Sequence, residues 1–376
     1  MNDIAAHLVD RVLPDVRIRQ WVLSLPMPVR LLCAFRPKVL SAVLREHTRA
    51  VFAFQRHRAR KLGLRDPRCG AVTVIQRFGS AMDLNVHFHT LVLDGVYTDG
   101  PVFHQIPPPT GAELQRVTEV IARKVTKALA RLGLAGDDAV STVAEAEPEV
   151  ASLVAESVAF PDDRLIDPGL ARLSARARGR HGQYDLHAAT TVGAHDTPAR
   201  ERLCQYLLRP PLSDDRLTLQ PDGRVALALK TPWRDGTIAI LLTAIQLVAR
   251  LAALVSRPGQ NMIRYHGLLA ANAKDRAAVV AGKTPPRVPP AHADDRQQLQ
   301  APQPMRNGRY LEWAALMLRT FSIDVLKCKC GGRLKLVAMV QDGAGAERYL
   351  RGTGLATDAQ RARPPPTEVP KAEALV

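Results

Sequence analysis

Two neighbouring stretches of the chain, residues 70–79 and 83–95, have the composition of β-strands, and polar and apolar residues alternate along residues 83–89. A period of two residues is typical of a half-buried β-strand, because successive side chains point to opposite faces. Gly79 and Ser80 lie between the two stretches and favour a tight turn. The pattern therefore predicts a β-hairpin, in which Gln76 of the first strand can face the second strand.

A helical period marks other parts of the chain. Apolar residues recur every three or four positions in residues 112–133, which predicts an amphipathic helix. Apolar helices are also expected over residues 243–255 and 309–321. Residues 3–62 are expected to be mostly helical, in short pieces that prolines separate.

Further strands are expected in the second half of the chain. Residues 216–230 contain a Pro-Asp-Gly turn at positions 221–223 and predict a second hairpin. Residues 237–242 and 261–270 are expected to be extended as well. Because strands and helices mix without a regular β-α-β alternation, the sequence predicts an α+β fold with an antiparallel sheet.

The chain is strongly basic. Its 376 residues include 52 Lys and Arg against 36 Asp and Glu, a formal net charge of +16. This charge favours a polyanionic partner such as nucleic acid, although high Arg content also reflects genomic base composition. The five cysteines are scattered and odd in number, which does not fit a secreted disulfide framework. No apolar run is long enough for a membrane span, so a cytoplasmic protein without a membrane partner is expected.

The most basic segment is residues 45–68, where an apolar stripe runs beside arginines and lysines. Arg56, Arg58, Arg60 and Lys61 lie in this segment and are candidate contacts to nucleic-acid phosphates. A solvated helix face is the alternative interpretation.

His87 and His89 are the most informative pair of residues in the chain. In a strand both point to the same face, about 7 Å apart along the backbone, and neutral imidazole is a common ligand of divalent metals. Histidines that are partnered only by structural neighbours are the alternative. The third ligand stays open: Gln76 is the first choice, with Asn85 and Asp83 behind it.

Residues 200–209 predict a short helix that two prolines stop. Tyr206 lies on this helix about one turn from Arg202 and Arg209. A tyrosine in such a position is either a packing residue or a nucleophile in a basic setting.

Four motifs of the chain resemble one family. They are Val-Thr-Val-Ile-Gln-Arg-Phe-Gly-Ser at residues 72–80, Asn-Val-His-Phe-His-Thr-Leu-Val-Leu-Asp-Gly at residues 85–95, Leu-Cys-Gln-Tyr-Leu-Leu-Arg-Pro-Pro at residues 203–211 and Arg-Tyr-His-Gly at residues 264–267. They resemble the rolling-circle transposases of the insertion-sequence-91 type, including the common-region elements. The resemblance also includes Asp-Arg-Val-Leu-Pro at residues 10–14, Arg-Gln-Trp-Val-Leu-Ser-Leu-Pro at residues 19–26 and the Cys-Gly-Gly hairpin, and it extends over nearly the whole chain.

That family belongs to the His-hydrophobe-His (HUH) endonucleases, so the resemblance implies a five-stranded antiparallel sheet with His87 and His89 on its central strand. It implies that these histidines bind Mg²⁺ or Mn²⁺ and that a nearby helix carries a tyrosine nucleophile. Tyr206 matches the family's tyrosine helix, and Tyr265 beside His266 is the reserve candidate. The implied reaction nicks and joins single-stranded DNA at the ends of a mobile element through a 5′-phosphotyrosine, without a nucleotide cofactor.

Other arginines near these motifs are further candidate phosphate contacts. They are Arg77, Arg200, Arg202 and Arg209. Affinity for single-stranded DNA is expected to fall steeply with salt, as phosphate neutralisation requires. A bacterial, nucleoid-associated location in the cytoplasm is expected.

The chain departs from the family's pattern in three places. Members with two catalytic tyrosines have them four residues apart, but Arg202 and Pro210 occupy these positions around Tyr206, so a single-tyrosine mechanism is expected. The family usually begins with a cysteine-rich zinc-binding segment, and this chain is expected to be a copy without it. Cys328 and Cys330 have one residue between them instead of two, so no structural zinc is expected.

Two other functions stay open at this point. The first is a truncated, catalytically inactive remnant of such a transposase that still binds DNA. The second is a metallohydrolase in which water, activated beside His87 and His89, replaces the tyrosine as nucleophile.

Five regions are expected along the chain, with helices that flank the sheet and extend at both ends. They are a helical, basic N-terminal region (1–68), an HUH-like endonuclease core (69–283), a Pro-rich linker (284–306), a C-terminal helix with a Cys-Gly-Gly hairpin (307–355) and a disordered tail (356–376).

Overall fold

The computed structural model of the chain is a mixed helical and antiparallel-sheet structure, which confirms the predicted α+β class. It describes residues 2–99, 102–134, 141, 145, 148, 151–153, 177–230, 232, 233, 235–256, 258–280, 313–328, 330–334 and 343–352. The chain divides into two compact units, Met1–Leu311 and Glu312–Val376. Within the described residues, every helix is too short or too polar to span a lipid bilayer.

The main sheet lies in the first unit and has seven antiparallel strands. They are β1 (Ile18–Ser24), β2 (Gly70–Phe78), β3 (Leu84–Leu93), β6 (Arg178–His181), β7 (Tyr184–His187), β8 (Thr191–Val192) and β12 (Ile263–Gly267). The order across the sheet is β12-β2-β3-β1-β7-β6, and β8 pairs with β1. The resemblance implied five strands, so that expectation is wrong in number, but β3 has neighbours on both sides as expected of a central strand.

Two smaller sheets accompany the main one. The first pairs β4 (Gly95–Tyr97) with β5 (Phe103–Gln105), and the second has the order β11-β10-β9. Its strands are β9 (Leu217–Leu219), β10 (Val225–Ala228) and β11 (Ala239–Leu242). The predicted Pro-Asp-Gly hairpin and the strand after it are therefore confirmed.

Helices provide most of the remaining regular structure. In the first unit they are α1 (Asn2–Arg11), α2 (Met27–Phe35), α3 (Pro37–Lys61), α4 (Gly111–Arg131), α5 (Thr197–Leu207), α6 (Ala244–Leu254) and α7 (Arg276–Val280). The second unit contains α8 (Trp313–Phe321) and α9 (Gly343–Gly352). The helices predicted over residues 112–133, 200–209 and 243–255 correspond to α4, α5 and α6.

The strand β1 corrects the expectation that residues 3–62 are mostly helical. Its seven residues lie within the eleven-residue segment between Pro14 and Pro26, a length that is ample for a strand. All but Ser24 are buried, because β1 is covered on both faces. The polar residues Arg19 and Gln20 are buried together with the apolar ones, so no clear alternation marks the strand. It pairs with β3 from Ile18 opposite Leu93 to Ser24 opposite His87.

The hairpin of β2 and β3 is confirmed, and its register shows why the turn begins with glycine. Gln76 stands opposite His87, and a bulge between Gln76 and Phe78 precedes the turn. A Cβ atom on Gly79 would overlap the carboxylate of Asp83, so a larger residue would require the Asp83 side chain to shift.

Helices cover the two faces of the main sheet separately. The face that carries Phe88 packs against α2, α3 and α4 in the larger apolar core. The face that carries Leu91, which is also the face of His87 and His89, packs against α1 and α5 in a second core. Helices α3 and α5 therefore lie on opposite sides of the sheet.

The second unit contains the predicted Cys-Gly-Gly hairpin. The backbone N–H of Cys328 donates to the carbonyl of Gly332, and that of Leu334 donates to the carbonyl of Leu326. Cys330 is exposed and Cys328 is half-buried. The hairpin is confirmed, and the absence of a structural zinc stays a prediction.

The predicted division into five regions stays a prediction. The Pro-rich linker (284–306) and the tail (356–376) lie outside the described residues. The predicted N-terminal region (1–68) contributes β1 to the same sheet as the predicted core (69–283), so these two regions share a sheet.

Candidate functional site

His87 and His89 form a close pair on one face of β3. Both side chains are fully buried, and their ring centroids are 4.9 Å apart at an angle of 69°. The Nε2 atoms of the two rings are 3.0 Å apart. The strand alternation predicted from the sequence thus brings two imidazole nitrogens to one point.

Burial keeps both imidazoles neutral. It lowers the pKa of His87 to about 3, with further lowering from the positive charges of Arg30 and Arg209. Burial likewise lowers the pKa of His89 well below its ordinary value, with contributions from His87 and Arg209. Neutral imidazoles are the protonation state that binds metal ions.

Hydrogen bonds assign the position of the proton on each ring. The Nδ1 atom of His87 lies 2.8 Å from the carbonyl oxygen of Asn85, to which only an N–H can donate. Its Nε2 atom therefore carries a lone pair that faces His89. The Nδ1 atom of His89 lies 2.8 Å from Nε2 of Gln20, which donates, so the proton of His89 is on Nε2.

Gln76 stands beside the pair, as its place in the hairpin predicted. It is 3% exposed and is the cross-strand neighbour of His87 on the same sheet face. Its Nε2 atom donates a hydrogen bond of 2.6 Å to the carbonyl oxygen of Leu207. Its Oε1 atom is buried and has no hydrogen-bond partner in the described structure. Such an orphaned acceptor is unusual and fits a ligand that the structure does not contain.

Asn85 and Asp83, the other proposed third ligands, are also buried near the turn end of β3. Asn85 shares the face of His87 and His89, and its Oδ1 atom is buried without a hydrogen-bond partner. Burial lowers the pKa of Arg30 to about 10, and the negative charge of Asp83 partly opposes this effect.

The donor set fits a divalent cation held by nitrogen and amide oxygen. Within the described part of the chain, no group of three or more His, Cys, Asp and Glu side chains could hold a metal ion. His87, His89 and the orphaned oxygen of Gln76 are the residues that could do so. A set without a carboxylate carries no negative charge, so a bound phosphate would have to balance the charge of the cation.

Tyr206 lies next to the histidine pair. Its ring centroid is 6.4 Å from that of His89, and the two rings are perpendicular. The guanidinium of Arg209 lies over the ring of Tyr206, 3.9 Å from its centroid. Phenol, imidazoles and one guanidinium therefore share a single site on this face of the sheet.

Capping and tertiary contacts hold the helix of Tyr206 in place. The side chain of Asp196 accepts a hydrogen bond of 3.0 Å from the backbone N–H of Ala199 and caps the N-terminus of α5. At the other end, Gln76 satisfies the carbonyl of Leu207, one of the acceptors that a helix leaves unpaired at its C-terminus. The helix is thereby bound to the strand next to His87.

Tyr265, the reserve candidate, lies on the same face but farther away. It is on β12 opposite Val72, which in turn stands opposite Leu91 of β3. Its ring lies 5.8 Å from the guanidinium of Arg276. Among the described residues, Tyr206 is the tyrosine whose ring contacts a histidine of the pair.

Comparison with known families identifies the chain. Residues 70–277 match the model of a family described as "Putative transposase", a match that covers more than half of the chain. The chain belongs to this transposase family. No curated protein and no solved structure matches it. Membership implies a nuclease or transferase activity that acts on DNA in transposition.

The arginines predicted to contact DNA in this transposase fall into different environments. Arg200 is 1% exposed and donates to the carbonyl oxygens of Pro14 and Val16, at 2.7 Å and 2.6 Å. Arg77 is also buried and donates to the carbonyls of Ala34 and Ala253. Since these two guanidiniums are engaged inside the fold, we do not include them in the proposed DNA contacts.

The remaining arginines divide between the two sides of the sheet. Arg202 is exposed and Arg209 is half-buried, and both lie at the histidine face with α5. Four candidates lie on α3, which covers the opposite face: Arg56, Arg58, Arg60 and Lys61. Arg58 donates to the carbonyls of Pro107 and Pro108 and pairs with Glu113. The structure does not bring the basic part of α3 to the tyrosine of the transposase.

The sequence prediction missed two residues at this site, Gln20 and Arg30. Gln20 bonds to His89 from β1, and Arg30 on α2 lies close enough to lower the pKa of His87. The apolar residues Trp21, Val22, Leu23 and Leu25 before Pro26 were the available signal for β1. The pairing of β1 with β3 has no local signal, because strand pairing over such a separation depends on the whole fold.

Proposed function

We propose that this transposase cuts and joins single-stranded DNA by a tyrosine-dependent, rolling-circle mechanism of the insertion-sequence-91 type. The observation that carries the proposal is the contact between the Tyr206 ring and His89, beside the 3.0 Å nitrogen pair of His87 and His89. Membership of the transposase family supports the reaction on DNA, and the resemblance of the four motifs supports the rolling-circle subtype.

His87, His89 and the Oε1 atom of Gln76 are proposed to hold the cation. When bound there, Mg²⁺ or Mn²⁺ would polarise the scissile phosphate and offset the charge that develops in the transition state. Because Mg²⁺ demands oxygen ligands more strictly, two imidazole nitrogens favour Mn²⁺ of these two ions.

Tyr206 is proposed as the nucleophile. Its phenolic oxygen attacks phosphorus, the new O–P bond forms as the bond to the 3′ oxygen breaks, and the phenol loses its proton. The departing 3′ oxygen takes up a proton and leaves as a hydroxyl. One phosphodiester replaces another, so the 5′-phosphotyrosine can react with a later 3′ hydroxyl without a nucleotide cofactor.

Arg209 is proposed to bind the phosphate that is attacked. It lies over the ring of Tyr206, and in the described part of the chain its Nε is buried without a hydrogen-bond partner. A guanidinium with unused donors next to the nucleophile suits a phosphate, which accepts two parallel N–H bonds. Because both imidazoles are fully buried, the side chains of Tyr206 and Arg209 must move aside when DNA enters.

A covalent-adduct assay tests the proposal. The purified protein is incubated with Mn²⁺ and a single-stranded oligonucleotide that carries an element end, and protein–DNA adducts are resolved under denaturing conditions. We expect an adduct that Tyr206→Phe abolishes and that Tyr265→Phe preserves. An adduct that survives in Tyr206→Phe but disappears in Tyr265→Phe would assign the reaction to the reserve tyrosine.

Two other outcomes separate the alternative functions. Binding of the oligonucleotide without any cleavage would support a catalytically inactive DNA-binding remnant. Cleavage that needs His87 and His89 but survives loss of both tyrosines would support a metallohydrolase that uses water as nucleophile.

A further inference from the structure

Gln20 is the one side chain of β1 that bonds directly to the histidine pair. It is 4% exposed and stands opposite Leu91, one residue pair beyond His89 on the same face of the sheet. Its Nε2 atom is 2.8 Å from Nδ1 of His89. Gln20 lies in the Arg-Gln-Trp-Val-Leu-Ser-Leu-Pro stretch at residues 19–26, for which the sequence predicted no role at the site.

The hydrogen bond from Gln20 has a consequence for metal binding. An amide nitrogen only donates, so Nδ1 of His89 must carry a lone pair and its proton must be on Nε2. That proton lies between the two Nε2 atoms of His87 and His89, 3.0 Å apart. In this tautomer His89 cannot offer Nε2 to a cation, because a protonated nitrogen has no lone pair.

We propose that Gln20 is a positioning residue that selects the tautomer of His89. Rotation of its amide by half a turn replaces the donor Nε2 with the acceptor Oε1 at the same place. His89 then loses its proton from Nε2 to solvent and takes up a proton from solvent on Nδ1, so the charge of the ring does not change. The new N–H of Nδ1 donates a hydrogen bond to Oε1 of Gln20. Nε2 of His89 becomes a ligand. This inference rests on the proposed cation site of His87 and His89.

Glutamine suits this role because its amide both donates and accepts. The side chain of Gln20 is buried, so Gln20 rather than water is the hydrogen-bond partner of Nδ1 of His89 in both tautomers. Partners of the second nitrogen of a metal-binding histidine orient the ring and change metal affinity by roughly 10- to 100-fold. The alternative role is structural, in which Gln20 only fills space and satisfies a buried nitrogen.

Two substitutions give opposite expectations for the two roles. Gln20→Glu offers only acceptor oxygens when ionised, which requires the proton of His89 on Nδ1 and exposes Nε2. It should bind Mn²⁺ at least as tightly as the native protein. Gln20→Leu keeps the volume but removes the partner, and we expect its Mn²⁺ affinity to fall at least tenfold. A structural role predicts the reverse order, since a buried carboxylate disturbs packing more than leucine does.

The test combines Mn²⁺ binding with a direct measurement of the tautomer. Free Mn²⁺ is followed by electron paramagnetic resonance during titration of the native protein and both variants. In protein labelled with ¹⁵N-histidine, long-range ¹H–¹⁵N spectra distinguish Nε2–H from Nδ1–H, and loss of one signal set in His89→Asn assigns His89. We expect Nε2–H in the metal-free native protein and Nδ1–H in Gln20→Glu.

The spectra also keep the inference testable if a variant does not fold. Addition of Zn²⁺, a diamagnetic probe, to the native protein should move the His89 proton to Nδ1. An Nδ1–H tautomer in the native metal-free protein, or unchanged Mn²⁺ affinity in Gln20→Leu, would overturn the role of Gln20. Failure of the native protein to bind any cation would instead overturn the proposed cation site, while the metal-free spectra still report on Gln20.

Discussion

The amide of Gln76 donates a 2.6 Å hydrogen bond to the carbonyl of Leu207, the residue that follows Tyr206. Gln76 is also the cross-strand partner of His87. One side chain therefore connects the strand pair of the histidines with the helix of the tyrosine. This link helps to set the distance between the ring of Tyr206 and the imidazoles.

Replacement of Gln76 should lower both the free energy of unfolding and the rate of adduct formation, and the two effects can be measured separately. Gln76→Leu leaves the carbonyl of Leu207 unsatisfied in a buried place, so we expect the free energy of unfolding to fall by about 1–3 kcal/mol. Adduct formation should fall at least tenfold at a temperature where the variant is folded, because the orphaned Oε1 is lost as well. Denaturant unfolding and the adduct assay give the two values. Adduct formation equal to that of the native protein would show that Gln76 does not contribute to the reaction.

Substitution of Arg209 tests the phosphate contact. Arg209→Ala should slow adduct formation by roughly 10- to 100-fold, on the scale of removing one donor that stabilises transition-state charge. Arg209→Lys keeps the charge but not the planar guanidinium, so its rate of adduct formation should lie between those of the native protein and Arg209→Ala. Arg202→Ala, which removes an exposed arginine of α5, is the control, and we expect it to slow the rate less than Arg209→Ala does. Equal effects of the two alanine variants would contradict a specific role for Arg209.

The basic end of α3 should not contribute to cleavage of a short oligonucleotide. Since α3 covers the face of the sheet opposite His87 and His89, the double variant Arg60→Ala with Lys61→Ala removes charge far from Tyr206. We expect adduct formation on a short oligonucleotide to stay within about threefold of the native rate. A tenfold loss on that substrate would show that the DNA path includes this helix.

His47 should make the fold sensitive to acid. It is fully buried on α3, and burial, with a smaller contribution from His266, lowers its pKa to about 3. In the unfolded chain a histidine titrates near pH 6.5, so the unfolded state binds the proton more readily. Stability is therefore complete above about pH 6.5 and falls as the pH drops towards 3, with a contribution of about 3 kcal/mol lost at pH 4.5.

Comparison of one histidine variant with the native protein measures this contribution. His47→Gln retains a donor for Thr90, which His47 contacts at 3.2 Å, but does not titrate. Between pH 7 and pH 4.5, the free energy of unfolding of His47→Gln should fall by about 3 kcal/mol less than that of the native protein. Parallel curves for His47→Gln and the native protein would contradict the prediction.

Local sequence patterns predicted the hairpin of β2 and β3 and the helices α4, α5 and α6 within a few residues. Their signals are strong because hydrophobic period, glycine turn and proline stop all agree. The same patterns failed for β1, whose residues show no clear alternation because both of its faces are covered. They also placed Arg77 and Arg200 among the candidate DNA contacts, because a local pattern does not reveal that a basic side chain is buried.

By itself, the sequence determined the α+β class, the shared face of His87 and His89, and the helix of Tyr206, because period and turn chemistry act over a few residues. Tertiary structure alone decided which residues meet across long separations in the chain. It placed Tyr206 against His89, Gln20 beside the same imidazole, and the basic end of α3 on the other face of the sheet. Strand pairing and core packing join distant segments, so these contacts depend on free energies summed over the whole fold and leave no trace in a local pattern.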